Sequence, residues 1–218
     1  MPVGKASRAA TAVLPLLAVL SCATLPPGED TDSAGNPPGT PDVARAEEML
    51  AGLRTAPEGS MDGYDRDEFP HWGEAEGENC NVRERVLIRD GEDVRTGSDC
   101  YPTSGTWHSP YDDGTWTDPS DLDIDHVVPL AAAWRSGASD WTREKRERFA
   151  NDLDGPQLLA VTDNVNQSKG DETPDEWLPP DEGAHCDYAR FWVGTKHNWD
   201  LSVTRAERSA LRDVLDGC

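Results

Sequence analysis

Two short runs constrain this chain more than anything else in it. The first, Asp123-Ile124-Asp125-His126-Val127-Val128-Pro129-Leu130, is an apolar, β-branched stretch that a proline stops, and it holds an acidic residue directly before a histidine. The second is Asn164-Val165-Asn166-Gln167-Ser168-Lys169-Gly170-Asp171. Neighbouring side chains on a strand point to opposite faces, but at a strand end the backbone is free to turn both toward one cleft. A carboxylate is a hard ligand for Mg2+ or Ca2+, and a neutral imidazole beside it accepts a proton from water. Asn166, on a following helix, is placed to supply a second ligand.

The rest of the chain reads as short elements around these runs. Asp42 caps a helix to Leu53, with Val43, Ala46, Met49, Leu50 and Leu53 on one face. The stretch Asn81 to Ile88 alternates into Val86-Leu87-Ile88, and Asp90-Gly91 is a turn signal, so a hairpin is expected there. Thr96 to Ser120 is turn-rich and aromatic, with Trp107, Tyr111 and Trp116, and needs tertiary contacts or a disulfide to be ordered. Ala131 to Trp134 begins a short helix, and Ser139-Asp140 caps a longer one from Trp141 to about Leu153. Gln157 to Val161 is a second short strand, after which Asp163 caps a helical turn carrying Asn164 and Asn166. Thr204 and Glu207 form a capping box that opens a final helix, with Ala210, Leu211, Val214 and Leu215 toward the core.

Residues 1–22 read as a targeting segment: Lys5 and Arg8 precede an apolar run too short to span a bilayer. The run ends Val19-Leu20-Ser21-Cys22, which resembles a bacterial lipobox with Cys22 as the lipidated first residue of the mature protein. An ordinary secretory signal is the alternative. Residues 23–41, rich in Pro, Gly, Asp and Thr, are expected to be a flexible linker, and residues 42–218 one domain. The expected location is outside a bacterial cell, either secreted or lipid-anchored. Membrane contact would then be only through Cys22, with no transmembrane helix in the mature protein.

Export favours oxidation, and without Cys22 the cysteines number an even set: Cys80, Cys100, Cys186 and Cys218. Three pairings are possible. Cys80–Cys100 with Cys186–Cys218 joins neighbouring segments and pins the C-terminus, whereas a zinc site built from all four cysteines lacks any CxxC pair. The chain carries 20 Lys+Arg against 42 Asp+Glu, a net charge of −22, and loss of Lys5 and Arg8 with the leader makes it −24. A polyanion-binding protein is on average basic. The acidic balance argues against broad electrostatic binding of nucleic acid but not against a local positive patch.

Strand with Asp-His, second strand, then helix with Asn: in this order the chain resembles the HNH nucleases, whose ββα-metal motif sets a general-base histidine and two ligands around one divalent ion. It is most similar to secreted bacterial proteins of the HNH endonuclease family, related to the C-terminal domain of GmrSD-type restriction enzymes. The shared features include Phe69-Pro70-His71-Trp72, Cys80-Asn81-Val82-Arg83, Val86 to Gly91, Trp134 to Ala138, Phe149 to Leu153, and Asn166 to Asp171. The resemblance implies an α+β fold, a ββα-metal (His-Me finger) core in a small mixed domain with short hairpins, peripheral helices and two disulfides. It implies an endonuclease acting on DNA, or on RNA, and the protein is expected to be a monomer. His126 would be the general base, with Asp125 and Asn166 holding one Mg2+ or Mn2+.

One position departs from the family pattern. Gly155 stands where the middle asparagine usually tethers the histidine loop, with Gln157 and Asn151 as substitutes. Lys169 is expected at a flanking phosphate, Arg83 either at a phosphate or as surface charge, Asp123 either as an outer partner of the site or as a solvated strand residue, and Asp171 as a cap or a partner of Lys169. His71, His108, His185 and His197 read as structural or surface residues. The basic run Arg143, Lys145, Arg146, Arg148 is either a phosphate-tracking helix or a solvated one with internal ion pairs. Most of the eight tryptophans read as core or loop anchors, with base stacking by Trp107 or Trp116 as the alternative. The alternative function is a surface lipoprotein that keeps the HNH scaffold as a binding module without turnover.

Overall fold

The computed structural model describes residues 1–4, 35–73 and 79–218. Cys22, most of the leader and the linker up to residue 34 lie outside the described residues. No helix among the described residues is long and apolar enough to cross a membrane.

Helix α1 (Val43–Gly52) starts where the Asp42 carboxylate accepts the Arg45 amide at 2.7 Å. Its buried Ala46 and Leu50 pack toward α6 (His185–Asn198) and α7 (Arg205–Leu215). Helix α7 opens with the expected capping box between Thr204 and Glu207 and buries Leu211 and Leu215. Helix α6 has no counterpart among the sequence expectations. It shows no amphipathic stripe because it is covered on nearly all sides, with Tyr188, Ala189, Phe191, Trp192 and Val193 all buried.

Residues 35–41, expected to be flexible linker, are instead packed. Pro37 and Pro41 are buried, and Arg190 on α6 donates to the Pro41 carbonyl at 2.6 Å. A Cβ at Gly194 would lie 2.9 Å from the Pro41 ring, so this face of α6 must be bare for the segment to dock.

The expected hairpin at residues 81–91 is a helix. Asn81 and Glu84 form a capping box, and α2 (Val82–Asp90) buries Val82, Val86 and Leu87. The β-branched run suggests a strand, but the cap and these apolar spacings belong to a helix face. Strand β1 (Gly91–Thr96) follows at once and pairs antiparallel with β2 (Pro102–His108), which pairs with β3 (Thr115–Trp116). The segment read as turns therefore carries β2 and β3, two of the three strands of this sheet. Trp107 is buried and donates to the Leu87 carbonyl, while the Trp116 indole donates to Thr162. The Trp107 ring is therefore closed to a base, whereas Trp116 is half-buried.

Strand β4 (Leu122–His126) pairs antiparallel with β5 (Leu158–Thr162), placing Asp125 opposite Leu159 and His126 opposite Leu158. Between them run α3 (Leu130–Arg135) and α4 (Arg143–Ala150), the latter capped by Thr142 and shorter than expected. Helix α5 (Asp163–Lys169) leaves β5 directly and ends at Gly170, whose φ of 56° favours a residue without Cβ. This β4-β5-α5 succession is the order expected from the sequence.

The ribbon separates two apolar clusters. Leu122, Ile124, Leu158 and Ala160 join Val86, Leu87 and Trp107 on one side, whereas Leu159 and Val161 join the larger core of α1, α6 and α7. Residues opposite one another in an antiparallel pair share a face. Asp125 therefore leaves β4 toward the larger core, and His126 toward the smaller. Two disulfides, Cys80–Cys100 and Cys186–Cys218, span sequence separations of 20 and 32. The first joins the start of α2 to the β1–β2 turn, and the second ties α6 to the C-terminus.

Candidate active site

At the end of β4 a cavity of about 240 Å3 is lined by Tyr64, Arg66, Asp125, His126, Asn166 and Asp171, with Ile124, Pro129, Leu130 and Ala131 as apolar walls. Asp125, His126 and Asn166 thus meet at one pocket, although the first two leave their strand on opposite faces.

His126 is held as a neutral base. Its Nε2 lies 2.9 Å from the Ala150 carbonyl, which only accepts, so Nε2 carries the hydrogen and Nδ1 keeps its lone pair. Burial lowers its pKa from 6.5 to about 4; the Ala150 carbonyl and the Asp125 charge pull the other way. The ring packs against Trp72 at 5.5 Å and His71 at 6.1 Å between centroids. Trp72 itself adopts φ 61°, an uncommon backbone for a bulky side chain.

Asp125 is 4% exposed and doubly bound. The Tyr111 hydroxyl donates to Oδ2 at 2.7 Å, and the Lys169 ammonium lies 2.8 Å from Oδ1. Lys169 also donates to the His126 carbonyl at 3.0 Å, so one buried cation ties down both members of the Asp-His pair. Burial pushes the Tyr111 hydroxyl well above its ordinary pKa, helped by the Asp125 charge, and draws Lys169 below its own, opposed by Asp125.

This corrects the expectation for Lys169. It is wholly buried and paired with Asp125, so its ammonium is not presented to a phosphate. Asp171 pairs with Arg135 at 2.6 Å rather than with Lys169. Arg83 lies on α2, outside the cavity lining, and donates to the Leu122 carbonyl at 2.8 Å. Three of the four residues of the α4 basic run make structural contacts: Arg143 and Arg146 donate to the Asp67 and Glu68 carbonyls, Arg146 pairs with Glu68, and Lys145 sits over Trp141, while Arg148 is exposed.

The Asn166 amide donates to Asp123 at 3.3 Å, which makes Asp123 its orienting partner. Of the two substitutes for the middle asparagine, Gln157 is the one that holds the loop after His126: it is completely buried and bonds both backbone groups of Val128. Its Oε1 accepts the Val128 amide at 3.0 Å and its Nε2 donates to the Val128 carbonyl at 2.9 Å. Asn151, the other possible substitute, bonds instead to Pro70, Gly73 and Glu147.

Sequence reasoning missed Tyr64, Arg66 and Tyr111 at this site. Tyr64 and Arg66 lie in the same stretch as Phe69-Pro70-His71-Trp72, but nothing local announces that this stretch folds against β4.

Fold and pocket together define a class: small disulfide-bonded α+β domains that gather an Asp-His pair and an amide at the end of a two-stranded ribbon. Residues 84–214 match the family model for the C-terminal domain of GmrSD restriction endonucleases, and the chain belongs to that family, which makes it nuclease-related. A protein of Arthroderma benhamiae described as an uncharacterized secreted protein is 54% identical over 182 residues, covering 84% of this chain and 89% of the relative. That relative supports an extracellular location, but it is fungal, so the expected bacterial origin finds no support. No solved structure matches the chain.

Proposed function

We propose that this protein is a secreted, metal-dependent endonuclease that hydrolyses phosphodiester bonds of DNA. The observation that carries the reading is His126: a neutral imidazole with Nε2 donated to Ala150 and Nδ1 left as an acceptor, beside Asp125 and Asn166 at one cavity. Nδ1 would take the proton from the attacking water, while the Ala150 carbonyl stabilises the imidazolium that results. Gln157 would keep the loop after His126 in place. Lys169 and Tyr111 would hold the Asp125 carboxylate in one orientation.

The donor set fits a hard divalent cation. Asp125 and Asn166 both line the cavity, and each Asp125 oxygen, bonded once to protein, retains a lone pair. A carboxylate with an amide oxygen suits Mg2+ or Mn2+, ions that keep several water or phosphate ligands. When bound, such an ion supplies Lewis-acid stabilisation of the scissile phosphate and leaving oxygen.

Purified protein is expected to nick and degrade plasmid with Mg2+ or Mn2+, and to stop on adding EDTA. A His126→Ala protein that cuts as fast as the parent would sink the proposal. A second reading, a binding module without turnover, is favoured by the ammonium of Lys169 beside Asp125, because an adjacent cation weakens a carboxylate's hold on a metal. That reading expects ligand binding with no cleavage under any metal.

A further inference from the structure

We infer that Arg66 is the phosphate clamp of this pocket, a guanidinium that grips a phosphodiester next to the bond presented to His126. The inference rests on the nuclease reading of the site, and it gives the anion-binding role to a residue outside the span that matches the family model.

The charges at the pocket single this residue out. Both carboxylates that line it already have a cation: Asp125 has Lys169 at 2.8 Å, and Asp171 has Arg135 at 2.6 Å. Arg135 also takes Glu58 at 2.9 Å, so it has no charge to spare. Arg66 lines the same cavity, is exposed, and makes no side-chain hydrogen bond or ion pair among the described residues. In a chain of net charge −22, with 42 acidic side chains, a solvent-facing arginine at the pocket without a carboxylate partner is available to an anion. A guanidinium matches two phosphate oxygens at once, which an ammonium does not.

The turn that presents Arg66 is built to hold still. The Asp65 carboxylate accepts the Asp67 amide at 2.9 Å and starts the single turn Arg66–Glu68. Phe69 at its far end is completely buried against Phe149 and Trp134. From α4, Arg143 donates to the Asp67 carbonyl and Arg146 to the Glu68 carbonyl and carboxylate. Arg143 and Arg146 of the basic helix are thus spent on docking this turn. Tyr64, packed on Phe69 and Trp134, lines the same cavity.

The test is binding of a short labelled DNA oligonucleotide, followed by fluorescence anisotropy in EDTA at low salt so that no cleavage intervenes. Arg66→Ala is expected to weaken binding roughly ten- to hundredfold, the range for hydrogen bonds to a charged group. It should also lower the slope of log affinity against log salt by about one. Arg66→Lys should recover only part of the loss. An Arg66→Ala protein that binds as tightly as the parent, or a parent that does not bind, overturns the clamp. Plasmid cleavage separates the two ideas: a cleaving parent with an unchanged Arg66→Ala variant rejects the clamp alone, whereas lost binding in the variant of a non-cleaving parent rejects the nuclease alone.

Discussion

Lys169 and Asp125 form an ion pair of 2.8 Å with neither side chain more than 5% exposed, at the junction of α5 and the end of β4. This buried pair welds the helix carrying Asn166 to the strand carrying His126. It also explains why a lysine sits one turn past Asn166 without facing solvent.

Removing one member strands the other. Lys169→Met should destabilise the fold by about 3–5 kcal/mol, because Asp125 would keep its burial and lose its cation. The double variant Lys169→Met with Asp125→Asn should recover part of that loss. Urea unfolding measures both, and a single variant as stable as the parent would mean that the pair holds nothing together.

The histidine predicts a pH dependence of stability. His126 is held at about 4 in the fold against an ordinary 6.5, so between these values the unfolded chain binds more protons. Stability from this residue is therefore complete above about pH 6.5 and falls on acidification toward pH 4, by up to about 3 kcal/mol. Denaturation of the parent and of His126→Gln across this window checks it: the variant should show the shallower slope. Equal slopes would mean that His126 titrates normally.

Gln157 predicts a local effect on the loop after His126. Gln157→Ala leaves the amide and carbonyl of Val128 buried without partners, which should lower stability by about 2–4 kcal/mol and depress cleavage with it. Restoring the family asparagine at Gly155 should not help. A Cβ there would lie 2.7 Å from Asp152 Oδ2, the oxygen that accepts the Trp199 indole, so Gly155→Asn is expected to destabilise the domain. A thermal melt of Gly155→Asn above that of the parent would count against this picture.

The disulfides predict sensitivity to reductant. Closing loops of 20 and 32 residues is worth about 3–4 kcal/mol each in the chain-entropy model. Melting with and without dithiothreitol should show a clear drop in Tm on reduction. Cys186→Ala with Cys218→Ala should reproduce part of it, since that bridge joins α6 to the C-terminus while α7 also holds α6 through the Lys196–Glu207 ion pair. A reduced protein with an unchanged Tm would show that the bridges add nothing.

Much of this protein was determined by its sequence alone, where the signal was local. Asp42 and the Thr204–Glu207 box mark the starts of α1 and α7 because a cap is read within four residues. The proline after Val128 and the apolar runs of β4 and β5 place Asp125, His126 and Asn166 in order, since a strand's period shows in a handful of side chains. The same locality misleads at Val86-Leu87-Ile88, where a β-branched run outweighs the Asn81–Glu84 capping box. It misses α6 altogether, because a helix buried all round shows no polar face.

Only the tertiary structure decided what each charged group faces. Lys169 pairs with a residue 44 positions away and Gln157 with one 29 positions away, and Arg66 reaches the pocket from before the family-matched span. No periodicity encodes such meetings. They follow from which faces the two apolar clusters bury, and burial then dictates that a lysine inside must find a carboxylate while an arginine at the pocket stays solvent-facing.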